Sequence, residues 1–574
     1  MGWQDRRAYR CRVGEPALRL SALLRYWHTL RHLRAVQFYG RLWFRLARPL
    51  ADLSDAPALR ACTGAWQAPA RREPSLVGAG HFELLGEHGT LAELGWDGPQ
   101  REKLWRYNQH YFDDLNAVDA GLRSEWHRHL LDDWVQCNSV GLGNGWEPYP
   151  TSLRIVNWIK WALGGNVLPD PCLHSLAVQA RWLSKRLEIH LLGNHLFANA
   201  KALVLAGLFF QGDEADRWLS TGLKILAREL PEQVLPDGGH FERSTMYHAL
   251  ALEDMLDLRN ALCAYPAALT ADQRGACADW PALARQMHAW LQSMCHPDGE
   301  ISFFNDAALG VAPAVAELGA YAARLGLAGM ASRSAGVTHL ADSGYIRLSA
   351  GDAVAILDVA PVGPDYLPGH AHADTLSFEL SLFGQRVLVN TGTSCYGGSA
   401  ERLRQRGTAA HNTVVVDGHD SSEVWGGFRV ARRARPFGLH MGPAGACAEL
   451  PIEVRCAHDG YERLPGRPVH QRRWLLDQSG LVVEDIVTGV HAAALAQFHL
   501  HPQLKLLADA SAQTGEAMLP DGRRLAWVVQ QGHASLEVGT YHPRFGLSFA
   551  GLCLIIRLAE GRSRIQFSWQ EFKK

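Results

Sequence analysis

The chain has 574 residues, 47% hydrophobic and 20% charged, the balance of a folded globular protein long enough for about two to four domains. Its formal net charge of -1 excludes wholesale nucleic-acid binding. Its 11 cysteines are odd in number and include no C-x-x-C pair, which excludes a zinc ribbon and a fully paired disulfide framework and fits a reducing compartment.

The opening stretch MGWQDRRAYRCRVGEPALRL has no apolar core and no small-residue cleavage site. No secretory signal is therefore expected, and the sequence reads as cytoplasmic. No run of 18 uncharged apolar residues occurs, so no integral membrane segment is expected. From Leu23 to Leu50 the chain is basic and aromatic (HTLRHLRAVQFYGRLWFRLARP). This reads as an amphipathic helix packed on its own domain, with an anionic membrane surface as the alternative. Residues 1–95 are assigned to an N-terminal helical extension.

Residues from about 100 to 330 show apolar side chains at three- and four-residue spacing. The runs are LRIVNWIKWAL, LHSLAVQARWLSKRLEIHLL, HLFANAKALVLAGLFF and ALALEDMLDLRNALCAY. Short Gly-, Pro- and Asp-containing loops separate them, so αα-hairpins are expected, and several such hairpins can close into a ring. Near Ser343 the period changes. GYIRLSAGDAVAILDVAP, TLSFELSLFGQRVLVNTG, VHQRRWLLDQSGLVVEDIVTG and SFAGLCLIIRLAEGRSRIQFSW read as antiparallel strands of a sandwich. Helices segregated before strands predict a multidomain α+β protein rather than a parallel sheet. Its helical domain is placed at 96–330 and its β-sandwich at 338–574, with a linker around Leu325–Val337. The 19 Trp and 14 Tyr suit stacking on sugar rings, and equally suit burial in helical cores.

Four clusters carry candidate chemistry. Asn194 and His195 interrupt an apolar helical pattern, as a helix cap or as functional polar groups that need partners. LPDGGHFERSTMYHAL gathers His240, Glu242, Arg243, Tyr247 and His248 at the start of a helix after a Gly-rich turn. A cation beside Tyr247 would bring its phenol below the ordinary value of about 10. His370, His372 and Asp374 follow a two-residue period, which sets them on one face of an extended segment, suited to metal binding or proton transfer. His411 and Asn412 enter a later strand and, with Asn390, can complete a site with His372.

In this order, the blocks GNHLFANAKAL, GGHFERSTMYH, GHAHADTLSFELSLFGQRVLVNTGT and HNTVVVDG resemble the heparinase II/III family of polysaccharide lyases. The segments YNQHYFDDLN and WEPYPTSLRIVNWIKW, with Trp146, Arg154 and Trp158, look like the family's early toroid. The resemblance implies an N-terminal (α/α) toroid followed by a C-terminal antiparallel β-sandwich, with an acidic polysaccharide lying between them. It implies β-elimination next to a uronic acid. Asn194 would hold the uronate carboxylate with His195 beside it, Tyr247 would be the general acid and a candidate base, and His370 would be the other proton-transfer group. Arg243, Glu242, Trp146 and His248 are expected to contact substrate.

The family also implies a structural divalent metal, zinc or calcium, at His372, Asn390 and His411, while the reaction itself needs no cofactor. Asn390 stands where an Asp is expected, and an amide adds no negative charge to such a site. A hydrogen-bonded network is the other expectation for this trio. The resemblance makes a periplasmic or secreted location an alternative to the cytoplasm, and a link to exopolysaccharide metabolism a further expectation. Two other functions remain open on the sequence. One is a glycoside hydrolase using carboxylates such as Glu147, Glu242 and Asp306. The other is a non-catalytic polysaccharide-binding or assembly protein.

Overall fold

The computed structural model describes residues 15–327, 335–442, 451–507 and 511–569. The expected linker at Leu325–Val337 falls mostly on 328–334, outside the described residues. The chain begins with two helices, α1 (Glu15–Leu30) and α2 (Ala35–Leu46). The expected helical extension stops there. Residues 47–75 hold no helix, in keeping with Pro49, Pro57, Pro69 and Pro74. They run along the helical domain instead: Arg60 N donates to Phe209 O (2.8 Å) and Gly64 N to Ala264 O (2.9 Å). A small antiparallel sheet of Leu76–Gly78, His81–Leu84 and Glu87–Thr90 follows.

The longer helices of the next domain are α3 (Ser124–Cys137), α4 (Pro148–Leu163), α5 (Asp170–Ser184), α6 (Gly193–Phe209), α7 (Asp213–Gln233), α8 (Thr245–Ala264), α9 (Trp280–Ser293) and α10 (Val315–Arg324). Each packs on near neighbours in sequence, α3 on α5, α4 on α6, α6 on α7 and α8 on α9, as the hairpins of an (α/α) toroid do. Helix α6 is buried from Leu196 to Phe209, which explains why its sequence is apolar all round. The helix expected from the run LHSLAVQARWLSKRLEIHLL ends at Ser184. Beyond it, polar contacts replace helix bonds. Arg186 Nη1 donates to Phe44 O and Ala47 O, and Glu188 N donates to Asn199 Oδ1 (2.8 Å).

The C-terminal domain is two facing antiparallel sheets. In one, Phe378–Leu382 lies centrally between Ala353–Asp358 and Gln385–Leu388. Its five residues are all buried, so its expected alternation does not mark an exposed face. In the other, Val469–Leu476 pairs with Ile452–His458 and Gly480–Thr488. Phe378, Trp474, Phe498, Trp527 and Phe567 fill the space between the sheets. A separate apolar cluster joins the domains: Trp290, Met294 and Phe304 from the helical side meet Tyr345 and Ile356 from the sheet. This contact fixes the groove between the two domains, where the candidate residues gather.

Candidate active site

The turn into α6 is built on two residues in the left-handed region, Leu192 (φ 63°) and Gly193 (φ 53°). Gly193 leaves room for a close approach: an added Cβ would sit 2.4 Å from Leu367 Cδ2 and 3.3 Å from Glu242 Oε1. The N-cap is Leu192, so Asn194 is not the cap but a first-turn residue. It is half-buried, and its amide makes no hydrogen bond to another described residue. His195 beside it bonds through Nδ1 to Glu188 Oε1 (3.1 Å) and packs on the Tyr149 ring (4.5 Å between centroids). Burial opposes protonation of His195, but Glu188 outweighs it and raises the ring's pKa.

Helix α8 is capped by Ser244, whose hydroxyl accepts from Tyr247 N (3.1 Å) and donates to Asp306 O. Tyr247 is thereby held in the first turn. Its hydroxyl meets that of Tyr396 (2.9 Å), and its ring stacks on His370 (3.8 Å between centroids). Burial, with Tyr396 beside it, pushes the Tyr247 phenol well above its ordinary pKa, so it carries its proton at neutral pH. The sequence argument for a lowered value fails because Arg243 turns away, its Nε donating to Ser343 O (2.9 Å).

His370 is oriented from behind. Its Nδ1–H donates to Asp306 Oδ2 (2.8 Å), which leaves Nε2 as the proton acceptor. Asp306 is fully buried and also accepts from His372 Nε2 (2.8 Å) and from both ends of the Arg402 guanidinium. Burial works against the Asp306 charge, but Arg402 and the two imidazoles outweigh it and hold the carboxyl well below its ordinary range. Glu242 lies 3.8 Å from His370 Nε2, buried, with no hydrogen-bond partner on either oxygen among the described residues. Burial raises its pKa against the pull of His370 and His195.

The cleft therefore collects Asn194, His195, Glu242, Tyr247 and His370. Three expected substrate contacts lie elsewhere. Trp146 is 3% exposed in the helical core and donates to Asn138 O (3.2 Å). His248 is fully buried, bonded at Nε2 to Met287 O (2.8 Å) and at Nδ1 to His240 N (3.1 Å). Arg243, turned to Ser343, is likewise spent on the join between domains. Tyr396, Asp306, Arg402, Glu188 and Tyr149 were not singled out for these roles. Tyr396 lies six residues beyond Asn390, and that proximity was its one local signal.

The trio expected to hold a metal was tested on its donor atoms. His372 Nδ1 lies 3.2 Å from His411 Nε2, a distance that serves an N–H···N bond. The Asn390 oxygen accepts from Asn412 N (3.2 Å), and its amide nitrogen donates to Ser377 Oγ (3.4 Å). A structural zinc site takes four ligands, usually including thiolate or carboxylate. Among the described residues, no group of three or more His, Cys, Asp or Glu is placed to hold a metal ion. With no anionic donor among the three and the Asn390 amide committed at both ends, the trio does not fit the group. Burial lowers the pKa of His372 to about 4 and of His411 to about 3, so both are neutral links in a hydrogen-bonded network that ends on Asp306.

Comparison with known proteins gives consistent matches. A family model described as heparinase II/III-like, C-terminal, matches residues 332–570, and one described as heparinase II/III N-terminus matches residues 171–321. A heparin-sulfate lyase of Bacteroides stercoris is 27% identical over 247 residues, 39% of this chain and 36% of that protein. The chain thus spans about a third of that relative's length. FtsZ-localized protein C of Caulobacter vibrioides is 27% identical over 513 residues, 82% of each chain. The crystal structure of heparinase III superposes with a TM-score of 0.64 at 17% identity, over 85% of this chain and 80% of that one.

Proposed function

This chain belongs to the heparinase II/III family, and from that premise we propose that it is a polysaccharide lyase that cleaves a uronic-acid-containing polysaccharide by β-elimination. The observation that carries the reading is the stacked pair Tyr247 and His370, with the second nitrogen of His370 held by Asp306. An acid that carries its proton lies against a base whose free nitrogen faces the same cleft.

The roles follow from these states. The uncommitted amide of Asn194 and the cationic tendency of His195 suit a uronate carboxylate, and donors aimed at a developing enolate are each worth about 3–4 kcal/mol of barrier. His370 Nε2 takes the C5 proton. The electrons of that bond form the C4–C5 double bond as the C4–O bond breaks, and Tyr247 gives its proton to the departing glycosidic oxygen. Return of a proton from His370 to Tyr247 resets the pair. Of the three carboxylates named for a hydrolase, Asp306 is engaged by Arg402 and two imidazoles and Glu147 by Lys103 and Tyr107, which leaves Glu242 without the second free carboxylate that hydrolysis needs.

The match to FtsZ-localized protein C over 82% of each chain supports a second reading, a non-catalytic polysaccharide-binding or assembly protein. One experiment separates these. The purified chain is mixed with alginate, heparin-like glycans, hyaluronan and bacterial exopolysaccharides, and ultraviolet absorbance of an unsaturated uronate is followed. We expect a rise with one polymer class, a uronate-bearing exopolysaccharide. Tyr247→Phe, which keeps the ring stack, is expected to lower the rate about 10²–10⁴-fold. New reducing ends without absorbance would establish hydrolysis instead. Polymer binding that survives Tyr247→Phe, with neither signal, would favour the assembly reading.

A further inference from the structure

Helix α2 is amphipathic, but it is turned the wrong way for a helix that only covers its own domain. Its inward side is Gln37, Gly40 and Phe44. Gln37 Nε2 donates to Tyr366 O (3.1 Å), Gly40 rests on His190, and Phe44 packs under Arg186. At 100° per residue, Phe38, Tyr39, Leu42, Trp43 and Leu46 fall on an arc of about 140° roughly opposite that side. They face solvent: Leu42 is 60% exposed, Trp43 66% and Leu46 70%. Helix α1 adds Leu23 at 66% and Trp27 at 62%. Contiguous exposed apolar surface of this kind marks a docking face.

Charge selects the partner. Residues 16–51 contain seven arginines and no Asp, Glu or Lys. Arg34 pairs with Glu232, whereas Arg25, Arg31, Arg41, Arg45 and Arg48 are exposed and have no ion-pair partner among the described residues. A second copy meeting this face would set unpaired arginines against their like. Tryptophan and tyrosine on the apolar arc, with the exposed Arg41, Arg45 and Arg48 along one flank of it, match the boundary between acyl chains and anionic headgroups. We propose that α1 and α2 dock this protein on an anionic membrane surface, lying in the interface without crossing it. No helix among the described residues is long and apolar enough to cross a membrane. Because α2 also touches the Tyr366 loop, docking holds the cleft beside the bilayer.

The test is flotation of the full chain with phosphatidylglycerol–phosphatidylcholine vesicles and with phosphatidylcholine vesicles alone. Binding is expected to the anionic vesicles and to weaken with salt. Leu42→Glu with Trp43→Glu is expected to lower binding at least about tenfold, and Arg41→Gln with Arg45→Gln and Arg48→Gln to lower it too. These side chains point to solvent, so the circular dichroism spectrum and cleavage of a soluble polymer should not change. That keeps the outcome independent of the lyase reading. Failure to float, or equal binding to both vesicle types, overturns the proposal. So does an ultracentrifugation result in which Leu42→Glu with Trp43→Glu converts a dimer to a monomer.

Discussion

Asp306 accepts from His370, His372 and Arg402 at once and is fully buried. It touches no substrate, so it is a positioning residue: it sets which nitrogen of His370 carries the proton. Asp306→Asn keeps the size but removes the charge. Arg402 is then left buried without a counter-charge, which typically costs about 3–5 kcal/mol. The amide can also donate to His370 Nδ1 and impose the wrong tautomer, at a cost on the order of 10³–10⁴ in kcat. Urea denaturation and the pH–rate profile should both move. A merely structural role would lower stability and leave the profile of the remaining folded enzyme in place. Asp306 also shows where sequence reading stops. Tyr247 and His370 stand out locally because each lies in a dense polar block. Asp306 lies 64 residues from His370 and Arg402 lies 96 from Asp306, and no local period records such pairings. The same local crowding misleads at His248, whose neighbours in sequence are catalytic candidates but whose ring points into the core.

At the scale of elements, the turn before α6 decides whether Asn194 and His195 reach the cleft. Gly193 is needed twice, for its positive φ and for the approach of Leu367 and Glu242. Gly193→Ala is expected to destabilise the fold by about 1–3 kcal/mol, through strain and overpacking, and to raise KM by shifting Asn194. Unchanged KM and an unchanged melting temperature would remove the turn from the argument. Helix and strand types were legible from period along most of the chain; the change read near Ser343 falls just after the helix ending at Arg324 and the strand starting at Gly336. Ends were less legible. The helix ending at Ser184 gives way to a loop because Glu188 is claimed by Asn199 and His195, contacts that lie in another element. The His370–Asp374 segment is not a strand, yet His370 and His372 still converge, because one carboxylate offers each an oxygen.

The whole molecule places its site between two domains, with Tyr247, Glu242 and Asp306 from the helical side and His370, Tyr396 and Arg402 from the sandwich. The proposed catalysis then requires the domain contact at Trp290, Phe304 and Tyr345 to stay closed. Acid attacks both sides of that contact. His240 and His248 in the helical domain, and His372, His411 and His499 in the sandwich, are buried, and burial lowers each pKa to about 3 or 4. In the unfolded chain each titrates near about 6.5. Between those values the unfolded state binds more protons, so stability rises with pH and is lost on acidification below about 6.5. Asp306 and Asp485, held below their ordinary values, lose their contribution only below about 4. His195, Glu242, Asp254, Glu300, Asp358, Asp374 and Asp420 pull the other way, since the folded state holds their protons more firmly, but more histidines are lowered, among them also His110, His296, His458, His470 and His501. The net slope is expected to be positive, on the order of 1–3 kcal/mol per pH unit, lowering the melting temperature of both domains between pH about 7 and about 5. A flat calorimetric melting temperature over that range would mean that the fold opens to hydrate these histidines, and with them the network that orients His370.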